Sequence, residues 1–176
     1  EGAMGVGTAR PTGKHAQNDR AYVDVVSRMY PTWEGLVKMA ECPSIDKPIM
    51  MCEYAHSMGN STGGMNDFWN AIRSHDNLIG GFIWDWMDQG LARISENGVK
   101  QWGYGGDYER PDERHDGNFL INGVVFPDRS PKPALEVCRY IYQPLVFQFD
   151  GYDVTIHNRN FFADSRRYDF KWELRN

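Results

Sequence analysis

Pro48-Ile49-Met50-Met51-Cys52 is a short, unbroken apolar run that stops at the charged residue Glu53. Continuous runs of this length are typical of parallel strands that are buried on both faces of a sheet. The carboxylate that follows the run can reach the edge of such a sheet. The run therefore predicts a buried parallel strand that delivers the side chain of Glu53 to a sheet edge.

Strand and helix patterns alternate on both sides of this run. A β-branched segment, 24–30, precedes it, and a segment with two glycines, 78–84, follows it; both have the composition of strands. Apolar residues at helical spacing predict helices over 33–41, over 65–75 and from Pro133 onward. Successive strand–helix units predict an α/β fold with a parallel sheet, either doubly wound or part of an eight-stranded barrel.

The pattern changes in the last part of the chain. Apolar and polar residues alternate over 152–156 and over 168–174, which is typical of half-buried antiparallel strands. Between the two patterns, the segment 88–130 is rich in Gly and Asp and is predicted to be a long loop. We therefore predict two domains, an α/β domain over 1–143 and the start of a β-sandwich over 144–176.

Composition argues against several classes of partner. The formal net charge of −5 is spread along the chain without a run of Lys or Arg, so neither nucleic acid nor an anionic membrane is an expected partner. No apolar segment is long enough to cross a bilayer, and residues 1–5 carry no targeting signal. Cys42, Cys52 and Cys138 are widely spaced among apolar residues and are expected to be buried free thiols.

Polar and aromatic residues occur at the carboxyl ends of the predicted strands. Tyr30, Glu53 and Trp84 each end one of three successive strands, and such ends share one rim of a parallel sheet. A carboxylate there is partly desolvated yet accessible, and its protonation can be tuned by a neighbouring hydroxyl or imidazole. The pattern favours Glu53 as a nucleophile. The alternative on pattern alone is a carboxylate paired with an arginine of the next unit.

Four longer motifs bear on that choice. The segments 52–60 (CEYAHSMGN) and 80–89 (GGFIWDWMDQ) resemble signatures of the β-galactosidases of glycoside hydrolase family 2. The segments 104–107 (YGGD) and 118–129 (NFLINGVVFPDR) look like late-barrel loops of the same family. The motifs occur in order and with suitable spacing. The resemblance extends from about Met29 to the alternating segment near the end of the chain, and the first twenty or so residues match loosely.

The resemblance implies the late part of a (β/α)8 barrel, followed by an immunoglobulin-like β-sandwich. It also implies a retaining mechanism, in which one carboxylate attacks the anomeric carbon and a second protonates the leaving oxygen. By the same resemblance, Glu53 is the nucleophile, and Tyr30 contacts it and assists proton traffic. Sugar-binding residues at positions that match the family's are His56, Trp84 and Asn122.

The resemblance further implies metal ions. Phe119 and Asn122 match positions that supply a backbone carbonyl and a side-chain oxygen to a sodium ion, but the carboxylate ligand of that ion lies upstream, so the sodium site is incomplete. The magnesium ligands and the acid/base glutamate are likewise expected to precede Glu1. Asp85 and Asp88 are interpreted as hydrogen-bond acceptors at the rim. We therefore expect the chain to be inactive by itself.

Other readings of the sequence remain open. A non-catalytic carbohydrate-binding module would need Trp84 and Trp86 but not Glu53, and a β-glucuronidase or β-mannosidase relative would share the barrel. Glu53 and His56 also have the spacing of a metal site in helical bundles, although such sites need two copies of the motif. The resemblance implies a β-galactoside as ligand and a homo-oligomeric parent, in bacterial cytoplasm or periplasm.

Overall fold

The computed structural model describes residues 22–175. They form two compact units, one ending at Cys138 and the other beginning at Arg139. The expectation about targeting at residues 1–5 falls outside the described residues. No helix within 22–175 has both the length and the apolar character that crossing a membrane requires.

The first unit is built on a three-stranded parallel sheet. Its strands are β1 (Val26–Met29), β2 (Ile49–Tyr54) and β3 (Leu78–Ile83), paired in that order. Helix α1 (Trp33–Ala40) follows β1, and helix α2 (Met65–Arg73) follows β2. The predicted parallel sheet with helical crossovers is confirmed, with each boundary within a few residues of its predicted position.

Helix α1 begins where its sequence provides a cap. The hydroxyl of Thr32 accepts a hydrogen bond from the backbone N–H of Gly35 at 3.1 Å, which satisfies one of the amides that the first turn leaves open. Leu36 and Met39 then lie three residues apart on the buried face of the helix. The cap fixes the start of α1, and the apolar stripe buries one face of the helix, which has α2 as a neighbour.

Strand β2 is longer than predicted and forms the centre of the core. Ile49, Met51 and Tyr54 have no exposed surface, and the Tyr54 hydroxyl accepts a hydrogen bond from the indole N–H of Trp69 in α2 at 2.9 Å. Because the strand continues to Tyr54, Glu53 lies within it, where a register shift interrupts the pairing with both neighbours. Packing of Tyr54 against α2 extended the strand beyond the apolar run.

The segment predicted as a long loop, 88–130, contains regular structure. Strands β4 (Leu91–Ile94) and β5 (Lys100–Gly103) form an antiparallel hairpin, and a 3₁₀ helix spans Gly117–Leu120. The hairpin turns at Gly98, whose φ of +75° suits glycine. Its strands are mostly exposed, so the sequence has no alternation of apolar and polar residues that would predict them.

The second unit contains the end of helix α3 (Pro133–Ile141), which was predicted to start at Pro133, and a second hairpin. Strands β6 (Leu145–Asp150) and β7 (Asp153–Asn158) pair antiparallel, as the alternation over 152–156 predicted. The strand predicted over 168–174 is wrong, because those residues have no regular structure. Trp172 and Leu174 are 89% and 80% exposed, so that segment lacks the packing that would turn alternation into a strand.

The cysteines differ in part from expectation. All three are free, and Cys138 is buried, as predicted. Cys42 and Cys52 are half-buried, which corrects the expectation of burial. Their apolar sequence neighbours did not determine burial, because Cys42 lies just beyond the end of α1 and Cys52 lies at the irregular part of β2.

Candidate active site

The carboxyl ends of β1, β2 and β3 lie side by side and carry the predicted site residues. Tyr30 follows β1, Glu53 is the last but one residue of β2, and Trp84 follows β3. The Tyr30 N–H donates to the Glu53 carbonyl at 2.8 Å, and the Trp84 N–H donates to the Tyr54 carbonyl at 3.0 Å. These bonds continue the parallel ladder past the strands, so the three residues occupy one edge.

A side-chain hydrogen bond joins Tyr30 to Glu53. Burial raises the pKa of the Tyr30 hydroxyl far above its usual value, and the hydrogen bond and the negative charge of Glu53 raise it further. Cys52 and Asp85 act in the same direction. The phenol therefore keeps its proton at neutral pH and donates a hydrogen bond to the half-buried Glu53 side chain, so Glu53 has a defined partner at the sheet edge.

We expect Tyr30 to ionise well above the usual tyrosine pKa of about 10 and to give a high-pH component. Tyr30→Phe should remove this component from an ultraviolet titration, and Glu53→Gln should shift it to lower pH because the negative charge is lost. Burial persists in Glu53→Gln, so the pKa should stay raised. The matched change Tyr152→Phe, at a fully exposed residue, should leave the component in place.

The raised pKa of Tyr30 also makes the stability of the fold depend on pH. Because the pKa of Tyr30 is raised in the folded state, its contribution to stability is complete below about pH 10 and is lost as the pH rises through the raised value. An alkaline titration in which Tyr30→Phe removes only an ordinary component would contradict the buried hydrogen bond.

Backbone conformation helps to place this edge. Tyr30 and Ala55, the residues directly after β1 and β2, both have φ of +49°, in the left-handed region that residues with a Cβ seldom adopt. Such strain costs on the order of 1 kcal/mol and is found where the surrounding structure enforces it. Here it turns the chain at the end of each strand, just where Tyr30 and His56 leave the sheet.

His56 lies between two aromatic rings. Its ring centroid is 6.1 Å from that of Tyr30, edge-on, and 5.3 Å from that of Phe119. Its Nε2 atom is buried and has no hydrogen-bond partner. A buried ring nitrogen without a partner is costly unless another group binds it, so His56 is available to bind a ligand hydroxyl.

The next residue, Ser57, holds this segment against Trp84. Its N–H donates to the Trp84 carbonyl at 2.6 Å, and its buried hydroxyl donates to the Ala55 carbonyl at 2.9 Å. Trp84 itself is half-buried, whereas Trp86 is 60% exposed. The Trp84–Asp85 peptide bond is cis. Ser57 was not among the predicted residues, since nothing distinguishes it locally from other serines.

Asn122 is the fifth predicted residue that the structure brings toward this edge. It is 2% exposed, and its carbonyl accepts a hydrogen bond from the Asp85 N–H at 2.7 Å, next to Trp84. The side-chain Oδ1 is buried and has no partner. An unpaired buried amide oxygen suits a hard cation or a hydroxyl donor, so the expected ligand chemistry fits the residue.

Phe119 lies in the 3₁₀ helix and is 57% exposed. The ring of His56 connects it to Tyr30, so Phe119 belongs to the same group of residues. Within 22–175, no three His, Cys, Asp or Glu side chains cluster as they would around a metal ion. Among the described residues, the groups predicted to contribute to a cation site are the Phe119 carbonyl and the Asn122 side-chain oxygen, and the latter is buried without a partner.

The two aspartates after β3 differ in environment. Asp85 is half-buried and accepts hydrogen bonds from the Trp86 N–H and the Gln89 side chain, in line with its interpretation as an acceptor. Asp88 also accepts hydrogen bonds, as predicted, but it is only 2% exposed and pairs with Lys132 at 2.6 Å, so the expected position at an open rim is wrong. Sequence reasoning missed this pair because its members are 44 residues apart.

Comparison with known proteins agrees with this architecture. Residues 8–147 match the family model described as "Glycosyl hydrolases family 2, TIM barrel domain". The chain is 46% identical over 128 residues to a β-galactosidase of Pseudoalteromonas haloplanktis, covering 73% of this chain and 12% of the relative. It is 46% identical over 121 residues to one of Vibrio cholerae, covering 69% and 12%. A third, from Aeromonas hydrophila, is 39% identical over 158 residues, covering 88% and 15%.

Proposed function

The chain belongs to family 2 of the glycosyl hydrolases and to the TIM barrel domain of that family, and we propose that it carries the nucleophile of a retaining β-galactosidase. The observation that carries the proposal is Glu53 at the carboxyl edge of the parallel sheet, hydrogen-bonded to a protonated Tyr30. The chain spans 12% to 15% of the length of the three relatives described above. The activity belongs to the complete protein, meaning the product of the reading frame that contains these residues.

In the proposed reaction, a carboxylate oxygen of Glu53 forms a bond to the anomeric carbon while the bond from that carbon to the leaving oxygen breaks. A second carboxylic acid gives its proton to the leaving oxygen. Water then attacks the same carbon, gives a proton to that second residue and releases Glu53. The configuration at the anomeric carbon is inverted twice and is therefore retained.

The second carboxyl group must lie roughly 5 to 5.5 Å from the first. We assign it to a barrel strand other than β1–β3, because the described sheet has three strands and the complete barrel has eight. Any magnesium ligands are assigned to the same remainder of the barrel. The described residues therefore supply one side of the catalytic site.

Tyr30 is proposed to act on the nucleophile. A phenol that stays protonated donates a hydrogen bond to the Glu53 carboxylate and fixes the direction of its free oxygen before attack. The negative charge of Glu53 disappears when the ester forms. When water hydrolyses the ester, the carboxylate is restored, and the Tyr30 hydroxyl can stabilise its charge again. This role requires the proton to stay on Tyr30 at working pH, which the raised pKa favours.

The sugar is proposed to bind beside this pair. Trp84 offers an aromatic face to the apolar C–H face of galactose, and the free Nε2 of His56 can bond a sugar hydroxyl. The free Oδ1 of Asn122 can accept from a hydroxyl or bind a cation. Sodium, held by the Phe119 carbonyl and the Asn122 side chain, would supply a positive charge that orients a sugar hydroxyl.

We also propose that the second unit begins an immunoglobulin-like β-sandwich. The β6–β7 hairpin carries large apolar side chains that are exposed, among them Phe149 at 74% and Val154 at 52%. A two-stranded hairpin is marginal by itself, and a facing sheet would bury such residues. Further strands of the complete protein are the proposed cover.

A covalent trap tests the proposed function. The complete protein is treated with 2,4-dinitrophenyl 2-deoxy-2-fluoro-β-galactoside, whose good leaving group speeds ester formation while the fluorine slows its hydrolysis. One equivalent of dinitrophenolate should be released, and mass spectrometry should find a fluorogalactosyl group on Glu53. Labelling of another carboxylate, or turnover without any adduct, would overturn the assignment.

The same assay separates the other readings. A carbohydrate-binding module would bind galactose, release no dinitrophenolate, and keep its affinity in Glu53→Gln. A β-glucuronidase or β-mannosidase relative would prefer the corresponding aryl glycosides when these are compared by kcat/KM. We expect the β-galactoside to be preferred, since the three relatives described above carry the name β-galactosidase.

Residues 1–176 alone are expected not to hydrolyse 4-nitrophenyl β-galactoside. A nucleophile without a proton donor lacks the general acid step, which contributes about 10²- to 10⁴-fold, and lacks the rest of the sugar site. The measurement compares the 176-residue chain with the complete protein at equal molar concentration. Turnover by the short chain that vanishes in Glu53→Gln would contradict the expected inactivity and show that these residues hydrolyse the substrate by themselves.

A further inference from the structure

A buried ion pair, Asp88 with Lys132, lies next to the backbone of Gly123, the neighbour of Asn122. The Asp88 side chain is 2% exposed and the Lys132 side chain is 11% exposed. The Oδ1 atom of Asp88 accepts hydrogen bonds from the Lys132 ammonium at 2.6 Å and from the Gly123 N–H at 2.7 Å. One carboxylate oxygen thus joins three parts of the chain, and Asp88, Gly123 and Lys132 themselves take no part in the proposed chemistry.

Two segments that carry site residues meet at this pair. We call residues 84–89 the Trp84 segment and residues 119–125 the Asn122 loop. Backbone bonds run between them from Asp85 to the Asn122 carbonyl at 2.7 Å and from Asp88 to the Val125 carbonyl at 3.0 Å. The carboxylate of Asp88 adds a side-chain bond to Gly123, the neighbour of Asn122.

Lys132 ties a third part of the chain to this junction. It directly precedes helix α3, and its N–H donates to the Val124 carbonyl at 3.2 Å. Its ammonium also lies 5.2 Å from the centroid of the Phe126 ring. Both members of the pair therefore contact the Asn122 loop, Asp88 at Gly123 and Lys132 at Val124. Removing one member would leave the other buried charge without compensation.

We propose that Asp88 and Lys132 are positioning residues that hold the Asn122 loop against the Trp84 segment, so that the free Oδ1 of Asn122 and the aromatic residue Trp84 are pre-arranged for the sugar. The role in sugar binding rests on the proposed function. The geometric part, a loop held by a buried pair, stands on the contacts alone. Neither residue touches the reacting atoms.

The test uses Asp88→Asn, Lys132→Met and the double variant in the complete protein. Asparagine keeps the shape and one acceptor oxygen but loses the charge, and methionine keeps the length of lysine without its ammonium. Each single change is expected to raise KM for 4-nitrophenyl β-galactoside on the order of ten- to a hundred-fold, with a smaller fall in kcat. The double variant should show less than the product of the two effects, since the members are coupled.

Hydrogen exchange supplies a readout that does not depend on activity. Amides of residues 119–125 should exchange faster in both single variants. If the wild-type protein does not hydrolyse β-galactosides, the proposed function fails, and the exchange rate still decides whether the pair holds the loop. If Asp88→Asn gives no soluble protein, Lys132→Met decides the question.

The matched control is Asp107→Asn, which breaks the Arg93–Asp107 pair of 2.9 Å, whose members are 31% and 34% exposed. We expect its KM and the exchange of the Asn122 loop to stay within about two-fold of wild type, as for most exposed pairs. Three results would overturn the proposal. These are unchanged KM and exchange in both single variants, a loss of kcat with normal KM, and an equal effect of Asp107→Asn.

Discussion

Glu53→Gln is expected to lower kcat/KM of the complete protein for aryl β-galactosides on the order of 10⁴-fold or more, as loss of a nucleophile does in other covalent catalysts. The amide is nearly isosteric, so the strand and the contact with Tyr30 should survive. It lacks the negative charge needed to form an ester with the anomeric carbon. The measurement is steady-state turnover together with thermal unfolding, to show that the fold is kept.

The control for this change is Glu96→Gln. Glu96 is exposed in the turn between β4 and β5, and the same change there should leave kcat/KM within about two-fold, as for most surface substitutions. Glu53→Gln with rates near those of wild type would remove Glu53 from the mechanism.

A chemical rescue sharpens the test. In Glu53→Ala, azide can enter the space left by the side chain and attack the anomeric carbon of an activated aryl β-galactoside. The carbon–azide bond forms as the bond to the aryloxide breaks, and the product is an α-galactosyl azide. Recovery of the rate with that product identifies the face that Glu53 occupies, whereas a β-galactosyl azide would contradict its role as nucleophile.

Gly123→Ala is expected to destabilise the first unit by about 3 kcal/mol or more. An added Cβ would lie 2.1 Å from the backbone nitrogen of Asp88 and 2.3 Å from the backbone carbon of Met87. Both are main-chain atoms, so no side-chain rotation can relieve the overlap. The Asn122 loop must move away from the Trp84 segment, and the Asp88 hydrogen bond to Gly123 is lost with it.

Thermal unfolding of the complete protein and hydrogen exchange of residues 119–125 measure this effect. Gly63→Ala is the matched control, because an added Cβ there meets no atom within 4 Å. We expect that change to be neutral within about 0.5 kcal/mol. If Gly123→Ala unfolds at the wild-type temperature with normal exchange, the close approach of the two segments is wrong.

Local pattern predicted the sheet and the position of Glu53 at its edge. Strands and helices follow from apolar periodicity, which each segment carries by itself, so β1 to β3 and α1 to α3 were found near their true bounds. Parallel strands must bring their carboxyl ends to one edge, so Tyr30, Glu53 and Trp84 were expected there. The strands, the helices and the shared edge therefore follow from residues that are neighbours along the chain.

Other features depended on contacts that no local pattern carries. The exposed hairpin of β4 and β5 lacks apolar alternation, and the alternation over 168–174 lacks a partner strand within the described residues. Asp88 resembles Asp85 in sequence, yet one is buried and the other is half-exposed. Burial is decided by what packs over a residue, which local sequence does not specify.

The amino-acid sequence by itself determined a parallel α/β architecture and a carboxylate at the end of its buried strand, because both arise from side-chain order within single segments. Only the tertiary structure decided the partners of that site. It gave Glu53 the protonated Tyr30, left His56 and Asn122 with unpaired buried atoms, and buried Asp88 against Lys132. Such pairings form between residues as many as 44 positions apart, where only the folded chain brings the atoms within hydrogen-bonding distance.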